Sequence, residues 1–256
     1  MAMQLDTIPC LTDNFAFLIH DDDSGQTACV DVPDAAPVLA ALERTGWRLT
    51  DILLTHHHSD HVQGVAALRA ATGAMVVGAA ADAHRLPPLD LALTTDMTVS
   101  IGHEFARIID VSGHTVGHIA FHFPDSGLVF TGDSLMAGGC GRLFEGTPAQ
   151  MWDSLQRLMA LPPETLVCSG HDYLTGNLGF AASVDPDNAA LRARIDRLAD
   201  MRREGRLPMP SLLSDELATN PFLRAALPQL CAATGLTGAP AAEVFAALRA
   251  MKDRFR

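Results

Sequence analysis

The sequence predicts an α+β fold in which β-sheets are covered by helices, followed by a small all-helical section. Short apolar runs rich in β-formers and bounded by Gly, Asp or Pro read as strands, among them residues 15–19, 28–32, 52–54, 75–77, 108–111 and 128–130. Helical patterns fall between some of them, too irregularly for a repeating βαβ alternation. After about Tyr173 the strand signal disappears.

At 256 residues and 48% hydrophobic, the chain can bury a sizeable core. A first helix is expected over 35–45, opened by Asp34 as N-cap and closed by Gly46. A second fits 62–71 ahead of Gly73. A third starts at Thr147-Pro148, a cap followed by proline in the first turn, and stops at Leu161-Pro162-Pro163. Residues 187–203 and 241–251 then carry leucine, isoleucine and alanine at helical spacing. These patterns divide the chain into a sheet-bearing part over 1–172 and a helical part over 173–256.

A net charge of −12 excludes nucleic acid and anionic membranes as partners, since both need a basic surface. No apolar run approaches the roughly 18 residues that span a bilayer, and the N-terminus lacks a basic cluster before an apolar core. A cytoplasmic monomer is expected. Five scattered cysteines without a C-x-x-C pair read as reduced, and Cys140, in a Gly-rich stretch, as a small buried hydrophobe. One segment opposes the acidic balance: the last eight residues, from Arg249, hold four basic side chains, Arg256 included, and one acid, which is a candidate anion site.

The most informative pattern recurs at strand ends: an apolar strand, Ser or Thr, an optional Gly, then a metal-ligand type. It occurs as Leu54-Thr55-His56, Val111-Ser112-Gly113-His114, Phe130-Thr131-Gly132-Asp133 and Cys168-Ser169-Gly170-His171. Glycine before the ligand lets the backbone turn over the sheet edge, where open sheets place their sites. The first occurrence extends into His56-His57-His58-Ser59-Asp60-His61. There His56 and His58 project to one side, and Asp60 and His61, further along, serve a second ion. His114 joins the first set, His171 the second, and Asp133 lies between them. This nitrogen and oxygen mixture suits zinc, with iron or manganese also accepted.

A single histidine after a strand is more often a core or surface residue; four such strand ends and one dense block make the metal reading the better one. His57 is expected to support its loop, and His118 and His122 to stand behind the ligands. His20, His84 and His103 lack motif context and read as surface residues. Two ions sharing a hydroxide at neutral pH imply hydrolysis at a carbonyl. Asp133 holds the pair together and Asp60 orients the attacking hydroxide. A thiol of pKa about 8.5 leaves as thiolate without a dedicated acid, which favours a thioester.

The 56–61 block, Ser112-Gly-His-Thr-Val-Gly-His118 and Phe130-Thr-Gly-Asp133 resemble the signatures of the metallo-β-lactamase superfamily, which implies an αββα sandwich. The whole stretch 130–147, the segment Cys168-Ser-Gly-His-Asp-Tyr173 followed by Asn177-Leu178, Asn220-Pro-Phe-Leu-Arg224 and Arg249-x-x-Lys252-Asp253 are similar to the glyoxalase II family, over about residues 8–255. That resemblance implies His56, His58 and His114 on one ion, Asp60, His61 and His171 on the other, and Asp133 bridging. It implies hydrolysis of S-D-lactoylglutathione and related 2-hydroxyacyl-glutathiones to glutathione and D-lactate by a metal-bound hydroxide, the second step of methylglyoxal detoxification. It also implies that Arg142, Tyr173, Arg249 and Lys252 hold glutathione, an anion that a basic cluster in an acidic chain would select. Arg142 stands where the family has lysine, keeping charge and changing geometry. Phe144 stands where part of the family has tyrosine, which removes a hydroxyl. The alternative, a glutathione persulfide dioxygenase with a mononuclear iron site, shares much of the histidine pattern; the Arg249-x-x-Lys252-Asp253 tail speaks against it. A flavodiiron module would show glutamate at position 58 and a flavin domain.

Overall fold

The structure, a computed structural model, describes residues 3–255, so the tail cation Arg256 lies outside the described residues. Strands β1 (Gln4–Cys10), β2 (Asn14–His20), β3 (Thr27–Val30), β4 (Asp51–Leu53), β5 (Met75–Ala79) and β6 (Leu91–Leu93) form one sheet in that order, antiparallel up to β3 and parallel beyond it. A second sheet is begun by β7 (Thr98–Ile101), β8 (Glu104–Asp110), β9 (Ile119–Phe123) and β10 (Leu128–Gly132). After a small ribbon of β11 (Leu135–Met136) and β12 (Gly139–Cys140), the strands β13 (Leu166–Ser169) and β14 (Ser211–Leu212) complete it.

The central strands bury both faces, which is why they read as unbroken apolar runs. On β2, Phe15, Phe17 and Ile19 point between the sheets, while Ala16 and Leu18 face outward to helices. On β10, Leu128 and Phe130 point inward and Val129 outward. Phe130 meets Phe17 edge-on at 5.6 Å across the gap. Helices α1 (Ala35–Thr45), α2 (Ser59–Val62) and α3 (Val65–Thr72) accompany the first sheet, with Val38, Leu42 and Leu68 buried on its outer face. Helix α4 (Pro148–Met159) covers the second through Met151 and Leu155. The result is an αββα sandwich.

The capping chemistry works as its residues imply. Asp34 accepts the Ala36 amide and Gly46 closes α1 at φ 73°. At α4, Thr147 and Gln150 form a reciprocal capping box. The chain ends in α5 (Leu174–Val184), α6 (Ala189–Arg203), α7 (Leu213–Thr219), α8 (Pro228–Thr234) and α9 (Ala241–Arg254), and α9 lies on α4, with Phe245 5.9 Å from Trp152.

Three expectations need correction. The helix expected over 62–71 is two, broken at Gly64, because the backbone there crosses the loop after β3; a Cβ would lie 2.7 Å from Val32 Cγ1 and from Ala35 N. The region beyond Tyr173 is not purely helical, since β14 pairs antiparallel with β13. Two residues are too few to show a period in sequence. His20 is not a surface residue: it is buried, stacked on Trp47 at 4.6 Å, with Nδ1 2.8 Å from the Thr27 hydroxyl.

Replacing Thr147 with alanine removes the capping box and is expected to lower stability by about 1 kcal/mol. Urea unfolding followed by circular dichroism checks it, as a lower midpoint at unchanged slope.

Candidate metal centre and its cleft

The recurring strand-end pattern brings its residues to one edge of the sandwich. His56 leaves β4 through Thr55, His114 follows β8, Asp133 follows β10 and His171 follows β13, while His58 starts the single turn of α2 that carries Asp60 and His61. The glycines serve two needs, and Gly132 serves both, since a Cβ there would also lie 2.5 Å from Thr55 Oγ1. Gly132 turns the chain at φ 48°, a left-handed conformation. Gly170 makes room: a Cβ there would lie 2.5 Å from His61 Cε1 and 2.7 Å from Asp133 Oδ1.

Two groups of possible ligand atoms result, His56 with His58 and His114, and Asp60 with His61 and His171. His58 Nδ1 lies 3.2 Å from His56 Nε2 and 2.9 Å from His114 Nε2. His61 Nε2 and His171 Nε2 are 3.3 Å apart, and Asp60 Oδ2 is 3.3 Å from the latter. Asp133 stands between the groups, Oδ1 3.4 Å from His61 Nε2 and Oδ2 3.4 Å from both His114 Nε2 and His171 Nε2.

Four of the five rings spend their outward N–H on the scaffold, which fixes the ring orientation and points the other nitrogen inward, where it can ligate an ion once it carries no proton. His61 Nδ1 donates to Asp31 Oδ2 at 2.8 Å, His171 Nδ1 to Asp13 Oδ1 at 2.8 Å, and His114 Nδ1 to the Arg142 carbonyl at 2.8 Å. His56 Nδ1 is 3.0 Å from the Thr55 hydroxyl, whose own proton goes to Asp31 Oδ2 at 2.8 Å, so the ring is the donor. Imidazole nitrogens that face one another without protons repel, and a cation between them relieves that repulsion. Asp133 Oδ1, buried, likewise finds no hydrogen-bond partner. The donor set therefore fits divalent metal ions, with imidazole and carboxylate ligands and no thiolate.

Electrostatics agree. Burial keeps His56 and His114 neutral, as ligands must be. At His171 burial opposes charge, yet hydrogen bonds to Asp133 and Asp60 outweigh it and carry the pKa up to about 10. This side of the site draws in a positive charge.

Asp31 and Asp13 have no motif of their own and escape a reading by sequence, while Thr55 belongs to the strand-end pattern but its role behind His56 is visible only in the structure. Asp31 ends the apolar run of β3 as the ligands end theirs, and a left-handed backbone at φ 54° aims its carboxylate at the Thr55 amide, the Thr55 hydroxyl and His61. His57 turns away from the cluster to Asp82, 2.8 Å distant. His118 lies flat on His56 at 4.5 Å, accepts the Asp133 amide at Nε2, and is pushed down to about 3 by burial. His122 Nδ1 is buried without a partner.

A cavity of about 560 Å³ is lined by His114 and Asp133 together with Arg142, Tyr173, Arg249 and Lys252. Tyr173 stacks on His171 at 4.7 Å, its hydroxyl pushed up to about 12 by burial and by Asp13. Arg142 is exposed at the rim, and Lys252 Nζ donates to the Gly176 carbonyl at 2.8 Å. Arg249 lines the cavity but is 5% exposed, with Nη1 donating to the Cys140 carbonyl at 2.8 Å and Nη2 to Asp253 at 2.8 Å. Phe144, 63% exposed, sets its ring edge against His114 at 5.2 Å.

A model described as the metallo-beta-lactamase superfamily matches residues 19–171, and one described as hydroxyacylglutathione hydrolase C-terminus matches residues 172–255. A protein of Fuscovulum blasticum named hydroxyacylglutathione hydrolase is 69% identical over 255 residues, 100% of each chain. The chain belongs to the hydroxyacylglutathione hydrolase family. Among solved structures, TTHA1623 in a di-iron-bound form aligns with a TM-score of 0.56 at 31% identity, over 66% of this chain and 92% of that one. The BLEG-1 B3 metallo-beta-lactamase, at a TM-score of 0.67 and 22% identity over 86% and 99% of the two chains, shares the fold of this hydroxyacylglutathione hydrolase family member.

Gly170→Ala is expected to leave the sheets intact while displacing His61 and Asp133. Metal analysis checks it: the variant keeps the native circular dichroism spectrum and retains less than half the metal of the parent.

Proposed function

We propose that the chain hydrolyses S-D-lactoylglutathione and related 2-hydroxyacyl-glutathiones to glutathione and D-lactate, the second step of methylglyoxal detoxification. The observation that carries this reading is the polarity of the cleft, which runs from the ligand cluster at His114 and Asp133 to Arg142 and Lys252. A thioester carbonyl at the first end leaves its anionic peptide at the second.

Two divalent ions fit the ligands, His56, His58 and His114 holding one, Asp60, His61 and His171 the other, and Asp133 both. We take them as zinc, and the same donors accept iron or manganese. When bound, such ions lower the pKa of water to about 7 and polarise a carbonyl. Asp60, part-exposed and held below the usual carboxylate range by His171, stays ionised and accepts the hydrogen bond that orients the attacking water. The neutral Tyr173 phenol is a donor for the peptide. Arg142 and Lys252 meet its carboxylates, and Arg249 backs the wall that they share. The departing thiolate needs no acid.

In this reading residues 1–172 carry the metal chemistry and 173–256 bind glutathione, in a cytoplasmic monomer with neither nucleic acid nor membrane as partner. The net charge of −12 supports the absence of nucleic acid and anionic membrane as partners; among the described residues no helix is long and apolar enough to cross a membrane. A persulfide dioxygenase with one iron is not favoured, because Asp60, His61 and His171 complete a second ligand set.

Metal-analysed protein incubated with S-D-lactoylglutathione is expected to release thiol, to lose that activity to a chelator and to regain it with zinc. No turnover with both sites filled would sink the assignment, and oxygen uptake with glutathione persulfide would favour the iron reading. Lys252→Ala is expected to raise KM about tenfold with kcat within about twofold, since it removes binding remote from the carbonyl; steady-state kinetics decide.

A further inference from the structure

The two ligand sets share Asp133 and, through Asp31, part of their surroundings, but differ in the groups that touch their rings directly. Behind His56 and His114 stand neutral oxygens, the Thr55 hydroxyl at 3.0 Å and the Arg142 carbonyl at 2.8 Å. Behind His61 and His171 stand carboxylates, Asp31 and Asp13, each at 2.8 Å. The third ligand of that second set is itself a carboxylate, Asp60, and Asn14 Nδ2 donates to its carbonyl at 3.0 Å and to its Oδ2 at 3.1 Å.

Asp13 closes the tight turn between β1 and β2, and Asn14, next to it, begins β2. The turn contains Leu11 at φ 49°, a left-handed conformation costly for leucine, and is pinned to the end of β13 by Phe15 N to the Gly170 carbonyl at 2.8 Å and Asp172 N to the Asp13 carbonyl at 2.7 Å. A carboxylate behind an imidazole raises its basicity and adds a full negative charge near the ion, whereas a carbonyl or hydroxyl adds a dipole.

We propose that the β1–β2 turn is the positioning element of one metal: Asp13 through His171 and Asn14 through Asp60 make the Asp60–His61–His171 half-site the tighter of the two. The inference rests on the two-ion reading above. Asp13 is the informative residue, because its side chain is 37% exposed and its replacement opens no cavity.

Zinc binding to the metal-free full chain, measured by competition with a chromophoric chelator, tests it. Asp13→Asn keeps an acceptor of the same size without the charge. It is expected to weaken one of two binding steps about tenfold, the lower end of the range for such outer partners because of the exposure, and to leave the other within about twofold. Asp13→Ala weakens the same step further. The single ion left in His58→Ala is expected to bind more tightly than the one left in His171→Ala, and only the former responds to Asp13→Asn. Unchanged steps, equal weakening of both, or the reverse order of the two single-site proteins overturns the proposal. A parent protein that binds one zinc overturns the two-ion reading and this inference with it.

Discussion

An imidazole offers two nitrogens, and committing one N–H to the scaffold decides where the other lone pair points. The site depends on this constraint. Thr55, Arg142, Asp31 and Asp13 each take the outward proton of one ring, so that the inward nitrogens of His56, His114, His61 and His171 converge around Asp133. Convergence of this kind is favourable around positive charge, whether protons held by His61 and His171 against Asp133 or a divalent ion in their place.

Such an arrangement needs a frame that does not relax. The sandwich supplies it by burying both faces of its central strands, so that a shift at any one strand end would disturb the packing of Phe17, Phe121 and Phe130 between the sheets. The helical part acts on the same frame from outside. Asn177 donates to the Ala137 carbonyl, Asn220 to that of Gly139 and Arg249 to that of Cys140, all at 2.8–2.9 Å. Glu216, paired with the buried Arg194, accepts the Gly138 amide at 2.7 Å. The β11–β12 ribbon, one wall of the cleft, thus hangs on residues far along the chain. Through the Arg142 carbonyl the adjoining loop also orients His114, so the rim of the cleft and the ligand cluster share backbone.

Charge is divided in a way that composition hides. The chain as a whole is acidic, with −12 overall, and Asp13, Asp31 and Asp60 stand in or behind the half-site of Asp60, His61 and His171, while Arg142 and Lys252 line the same cleft. An anionic ligand with one reactive carbonyl is oriented by that gradient before any specific contact forms.

The sequence by itself reached several of the strands and the residues at the strand ends, because a buried apolar run, a capping residue and a Ser/Thr-Gly-ligand ending are local properties written in consecutive residues; the αββα class followed from the resemblance of those motifs to a known superfamily. It reached the caps of α1 and α4 for the same reason. It did not reach Gly64, β14 or the burial of His20, which follow from contacts with segments distant in the chain. Nor could it show that Gly170 is a matter of space alone while Gly132 answers both conformation and space. Only the tertiary structure decided which carboxylates stand behind the ligands, that Arg249 is spent on the Cys140 carbonyl, and that Asp13, 158 residues from His171 in sequence, lies 2.8 Å from it in space. Those pairings have no period and no spacing; they exist because two sheets and a helical cover close on one another.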